Sequence, residues 1–138
     1  MGTESHRVEL SIPMIPEMEL AASRTAGTVA ELMNLDGDRA EEVTMAFIEA
    51  CLYTFQEGAP DRRAHICFCM HEDRLEAYLH ALGEEIDLER VIERQDELKV
   101  LPLDRRCWGL RILEELMDRA ELLQLEEGHV IRMVKYPR

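Results

Sequence analysis

Apolar and polar residues alternate near the start of the chain, where Val8, Leu10 and Ile12 interleave with Arg7, Glu9 and Ser11. A period of two is the pattern of a half-buried strand. Pro13 and Pro16 break it. From Glu17 to about Leu35 the period becomes helical, with Leu20 or Ala21, Thr25, Val29 and Leu32 as one mainly apolar stripe and acidic residues in the first turn. Asp36-Gly37-Asp38 ends this helix and sets Asp38 to cap the next. The second helix, Arg39 to Gln56, is the most strongly patterned segment, because Val43, Ala46, Phe47, Ala50, Cys51 and Thr54 recur at helical spacing.

Gly58-Ala59-Pro60-Asp61 reads as a turn, followed by strands Ala64–Met70 and Leu75–Ala81 joined as a hairpin through His71-Glu72-Asp73-Arg74. The stretch from Leu82 to Arg106 is charged, with scattered Leu, Ile and Val and a short helix expected around Leu88–Asp96. A helix follows from Trp108 to about Ala120, with Leu110, Leu113, Leu116 and Met117 turned to a core. The chain closes with a hairpin of Glu121–Leu125 and Val130–Tyr136. Hairpin strands with helices on one face predict an α+β fold, a two-layer sandwich rather than a doubly wound parallel sheet.

A length of 138 residues suits a single domain spanning 1–138 that buries its own core. The charge adds an exclusion. With 29 acidic residues against 16 basic ones the formal net charge is −13, which repels nucleic-acid phosphates and anionic lipid. No apolar run has the length of a membrane span and the N-terminus has no hydrophobic signal region, so a cytoplasmic protein is expected. The four cysteines form no CxxC pair. In the strand His65-Ile66-Cys67-Phe68-Cys69-Met70-His71, the apolar Ile66, Phe68 and Met70 share the face toward the helices. His65, Cys67, Cys69 and His71 share the other, beside Tyr78 and His80, and that face is expected to be open to solvent or covered by a dimer partner. The ends of this row lie about 20 Å apart at strand rise, too far for one metal ion to gather all four.

Three segments carry a resemblance. Glu41-Glu42-Val43-Thr44-Met45-Ala46-Phe47-Ile48-Glu49-Ala50-Cys51 resembles the second helix of anti-sigma-factor serine kinases, members of the GHKL ATPase superfamily. Ser11-Ile12-Pro13 before a long helix is similar too. So is Trp108-Gly109-Leu110-Arg111-Ile112-Leu113-Glu114-Glu115-Leu116-Met117-Asp118, which resembles the family's G-L-x-L-(I/M)-x-x-L-M-D helix. The likeness runs through nearly the whole chain in order. It implies the GHKL (Bergerat) two-layer sandwich, a mixed, mainly antiparallel sheet with helices on one face.

The resemblance also implies three stations for ATP. In the first, E-A-x-x-N, the Glu helps activate the nucleophile and the Asn holds magnesium. Glu49 matches the Glu, while Tyr53 stands at the Asn position with a single phenolic oxygen. In the second, D-x-G-x, the Asp reads the adenine amino group. The matching Ala81-Leu82-Gly83-Glu84 keeps Gly83, but Ala81 cannot accept that hydrogen bond, a loss of about 1–3 kcal/mol for the orphaned group. The third is a G-x-G-L turn that cradles phosphate at a helix N-terminus. Gly109 and Leu110 match it, Cys107 replaces its first glycine, Trp108 sets a large ring beside it, and Arg105 and Arg106 remain to attract an anion.

On this resemblance the chain is expected to be an anti-sigma-factor-like regulator, a pseudokinase whose ATP or ADP with magnesium is held weakly or lost. The implied partner is a sigma factor or an anti-anti-sigma (STAS) protein, with the first helix and the Pro13–Pro16 loop as contact surfaces and a homodimer within reach. Two alternatives stand beside it: an active ATP-dependent serine/threonine kinase of the same type, and a metal-linked sensor built on Cys67 and Cys69. For the individual residues the plainer readings are a surface or Arg-paired carboxylate for Glu49, a helix cap for Gly109, and a core or interface anchor for Trp108.

Overall fold

The computed structural model describes residues 4–57, 62–81, 88–101, 108–125 and 128–137. Its elements are β1 (Glu4–Pro13), α1 (Glu19–Leu32), α2 (Gly37–Glu57), β2 (Arg63–His71), β3 (Leu75–His80), α3 (Leu88–Glu93), a 3-10 turn (Gln95–Glu97), β4 (Val100–Leu101), α4 (Trp108–Leu116), β5 (Arg119–Gln124) and β6 (His129–Lys135). The six strands form one sheet in the order β1-β2-β3-β6-β5-β4, and its neighbouring strands run antiparallel. With α1, α2 and α4 layered on one face, this is the expected α+β sandwich of the GHKL type. The expected turn at 58–61 lies outside the described residues.

The period-two pattern of β2 and β3 puts Ile66, Phe68, Ala77 and Leu79 on the helical side, where they join Val43, Ala46, Phe47 and Ala50 of α2 and Leu110 and Leu113 of α4 in one buried cluster. Phe47 and Phe68 meet with ring centroids 5.1 Å apart at a tilted angle, a favourable aromatic geometry. The whole expected stripe of α2, including Cys51 and Thr54, is buried.

The first helix departs from expectation in both extent and stripe. Glu17 has a left-handed φ of 78°, which a helix interior does not admit, so α1 begins two residues later. Asn34 at φ 62° ends it, and the Leu35 N–H reaches back to the Ala30 carbonyl at 3.1 Å in a Schellman-type closure. The face that packs inward is Ala22, Ser23, Ala26, Val29 and Ala30; Leu20 and Leu32 are exposed. Small residues occupy the inward face because the two helices approach closely. A Cβ on Gly27 would stand 2.7 Å from Thr44 Oγ1 of α2. The cap of α2 also differs: Asp36, not Asp38, accepts the Arg39 N–H at 2.9 Å.

At the far end α4 stops at Leu116 rather than Ala120, because the Asp118 N–H already bonds the Val134 carbonyl at 3.0 Å and commits the chain to β5. Lys135, nearly buried, donates to the Leu116 carbonyl and lies 3.5 Å from Glu42 on α2. It thereby satisfies an orphan carbonyl at the C-terminus of α4. Arg39 binds the Tyr136 carbonyl and Asp118, each at 2.8 Å. The first turn of α2 is thus tied to the C-terminal segment.

The reverse of the sheet is not open at Cys67 and Cys69. Cys67 and Cys69 are fully buried with Tyr78, Leu123 and Val130 beneath Val91, Ile92 and Leu98 of the 88–101 segment. Apolar residues scattered through a charged sequence therefore make a second, smaller core. Beside it Glu76, only 1% exposed, receives Arg74 at 2.7 Å and the Tyr78 hydroxyl at 2.9 Å, and Arg132 lies 3.4 Å away. Arg132 also pairs with Glu121 at 2.7 Å, and the Tyr78 oxygen lies 2.8 Å from Gln95 Oε1. Burial pushes the Glu76 carboxyl up, but hydrogen bonds from Arg74 and Tyr78 and the charge of Arg132 outweigh it and hold the group below its usual range.

Candidate functional site

The second and last helices bring two of the expected residues together. Glu49, half-buried on α2, faces Gly109 in the first turn of α4; a Cβ at Gly109 would lie 3.1 Å from Glu49 Oε2 and 3.8 Å from the Glu49 carbonyl oxygen. A side chain there would require the Glu49 carboxylate to give way by a few tenths of an ångström. Glu49 thus stands at a helix N-terminus, where unpaired N–H groups and the helix dipole favour negative charge.

Tyr53 lies one turn after Glu49 and therefore on the same side of α2. Its half-buried ring packs against the core and lies 6.0 Å, centroid to centroid, from His129 at the start of β6. His129 lies just before the expected strand Val130–Tyr136, and only the packing of α2 against the sheet brings it to Tyr53. Leu110 is fully buried and serves the core. Trp108 is 70% exposed, with the Arg111 guanidinium 5.7 Å from its ring centroid, so it is not a core anchor. Ala81 is half-buried just after β3. Gly83, Cys107, Arg105 and Arg106 lie outside the described residues.

Two residues after Glu49, burial and then the charge of Glu19 push the Cys51 thiol up to about 12. That thiol stays protonated at neutral pH and is no nucleophile. On the reverse face Cys67 and Cys69 have their sulfurs 3.9 Å apart. Among the described residues no three His, Cys, Asp or Glu side chains are grouped to hold a metal ion. Nor is any described helix long and apolar enough to cross a membrane.

Magnesium and ATP can be tested against this donor set. Glu49 supplies one carboxylate, Tyr53 a phenol on a ring whose centroid lies 6.0 Å from that of His129, and Ala81 a side chain with no acceptor. Among the described residues, this set offers magnesium a single carboxylate and offers the adenine amino group no side-chain acceptor.

No family model matches the chain. Individual proteins do. Serine-protein kinase RsbW of Bacillus velezensis is 29% identical, with 99% of this chain and 89% of that protein aligned. The proteins of the same name from Bacillus subtilis, 28% identical over 99% of this chain and 89% of that protein, and from Oceanobacillus iheyensis, 28% identical over 94% and 85%, match likewise. Over nearly its full length, then, the chain is similar to the serine-protein kinases named RsbW, and its two-layer fold agrees with that likeness.

Proposed function

We propose that the chain is an anti-sigma-factor-like regulator that acts by binding a protein, a sigma factor or an anti-anti-sigma (STAS) partner, with impaired nucleotide binding. One observation carries the binding half. Ile15 is 52%, Leu20 41% and Leu32 69% exposed, in the loop before α1 and near both ends of that helix, where the resemblance expects partner contacts. Large apolar side chains held in water on one helix and the loop before it are material for a protein interface. The impaired-nucleotide half rests on Tyr53 and Ala81 in the places of the magnesium and adenine ligands.

A second reading, an active ATP-dependent serine kinase, has its own support: Glu49 and Gly109 are together, as the family's chemistry demands. Calorimetric titration of magnesium ATP into the 138-residue chain separates the two. Absence of binding tighter than millimolar supports the regulator with a failed nucleotide site. Tighter binding that is lost in Glu49→Ala supports the kinase. For the partner, affinity capture from the native host should recover a sigma factor or a STAS protein, and Leu20→Asp with Leu32→Asp should abolish the capture while the fold persists. Recovery of neither, or capture indifferent to those substitutions, overturns the binding reading.

A further inference from the structure

Behind the sheet, the 88–101 segment leaves a groove of about 440 Å³ against the end of β5. Val91, Leu98 and Leu125 supply its apolar lining, and Arg90, Arg94 and Lys99 stand around them. Val91 is buried, Leu98 and Leu125 are half-buried, and the three cations are exposed. In a chain with 29 acidic residues against 16 basic ones, three cations around one apolar groove, with no acidic residue among the described ones that line it, reverse the sign of the surroundings. Arg94 has an exposed partner in Glu97 at 3.1 Å, a contact of little energy that water readily replaces. Among the described residues neither Arg90 nor Lys99 is ion-paired.

The groove is also held rigid. Its floor belongs to the second core with Cys67, Cys69 and Tyr78. The Gln124 N–H bonds the Lys99 carbonyl at 2.9 Å, and Val100 and Leu101 pair with Leu123 and Leu122. Gln95 touches the Tyr78 hydroxyl and so ties the same segment to the buried charge cluster. A preformed site loses little entropy on binding. It lies on the face of the sheet opposite Glu49 and Gly109, so it is separate from the nucleotide-site remnant and from the exposed residues of α1.

We propose that this groove docks an acidic protein segment carrying apolar side chains, the carboxylates meeting Arg90, Arg94 and Lys99 while a leucine-sized side chain enters between Val91, Leu98 and Leu125. Charge complementarity selects this occupant. A basic segment is repelled by the groove, and nucleic acid by the remainder of the molecule. The apolar lining adds the burial that a purely electrostatic surface lacks.

The test uses the full chain and a short fluorescein-labelled peptide of alternating glutamate and leucine, followed by fluorescence anisotropy. Binding is expected to weaken with salt, as charge attraction is screened. The double variant Arg90→Glu, Arg94→Glu should weaken it by about tenfold or more, and Lys99→Glu by a smaller factor. These side chains are exposed, so an unchanged thermal transition separates lost binding from lost folding. A peptide of alternating glutamate and serine should bind more weakly, and one of lysine and leucine not at all. Absence of binding, equal binding of the three peptides, or indifference to the charge reversals overturns the proposal. So does self-association of the unliganded chain that the reversals abolish, which would make a second copy the occupant.

Discussion

Beneath α1, α2 and α4 the sheet presents Ile66, Phe68, Leu79 and Met133 to a core of nearly pure hydrocarbon; on its reverse the same strands present Cys67, Glu76, Tyr78 and Arg132. The first face is stabilised by area and packing density. The second combines a small apolar core with buried charges that are stable only while each finds its partner. Loss of a methylene on the helical side leaves a void with otherwise ordinary surroundings. Loss of a charge on the reverse leaves its partner stranded out of water.

Breaking that reverse face should produce the largest single effect. Removal of one member of a buried charge network typically destabilises by about 3–5 kcal/mol, and Glu76 at 1% exposure, with Arg74, Arg132 and Tyr78 all aimed at it, is the member with most to strand. Glu76→Ala is therefore expected to lower the unfolding free energy by that amount in urea titration. Replacing Glu76 with Leu and Arg132 with Met together should cost about as much as, or less than, Glu76→Ala alone, since the stranded charge goes with its partner. A loss equal to the sum of the two single substitutions would mean that the pair does not act as a unit.

The difference between the faces also decided what the sequence revealed. The α2 stripe and the register of β2 and β3 were legible because each has a strong period and a single apolar face. In α1 large residues misled: Leu20 and Leu32 fit a helical spacing, but beside the close approach at Gly27 the inward face is mostly small, Ala22, Ser23, Ala26 and Ala30 with Val29, and small residues give a weak apolar signal. The reverse face was harder still. Val91, Ile92 and Leu98 lie in a charged stretch without period, and no local pattern says that they will cover Cys67 and Cys69. For the candidate site, matched motifs identified Glu49 and Gly109, whereas the proximity of Tyr53 to His129 depends on a pairing far apart in sequence.

Acid distinguishes the faces next. His80 is buried on the reverse of the sheet, its ring stacked 5.1 Å from that of His65. Burial, and then the charge of His65, lowers its pKa from the ordinary 6.5 to about 4. Between those values the unfolded chain holds a proton that the folded chain refuses, so stability is full above pH 6.5 and falls as the pH drops toward 4. The expected loss is about 3 kcal/mol. Glu76 acts at lower pH. Its depressed carboxyl contributes stability above its ordinary 4.5 that is lost as the pH falls below. Urea midpoints from pH 7 to 3 should show both stages, and His80→Phe should flatten the upper one alone. An unchanged slope between pH 6.5 and 4 in that variant would assign the effect to another group.

The helical face offers the smallest and most discriminating contrast, because its response is governed by space alone. A methyl at Gly27 would meet Thr44 Oγ1 at 2.7 Å, and that hydroxyl is held by its bond to the Ala40 carbonyl at 3.1 Å. Thr is stiff at χ1, so α1 must move away from α2 to admit the methyl. Against this, Ala in place of Gly favours a helix by about 0.8–1 kcal/mol. Overpacking of about 1–3 kcal/mol should win by a modest margin, so Gly27→Ala is expected to destabilise by about 1 kcal/mol. In a Thr44→Ala background the obstruction is gone while the propensity gain remains, and the same substitution should become stabilising. A reversal of sign between the two backgrounds, read from urea midpoints at neutral pH, would show that close packing and not charge sets the spacing of α1 and α2. The same sign in both would mean that α1 yields easily, and the contrast between a rigid apolar face and a brittle charged one would fail at that helix.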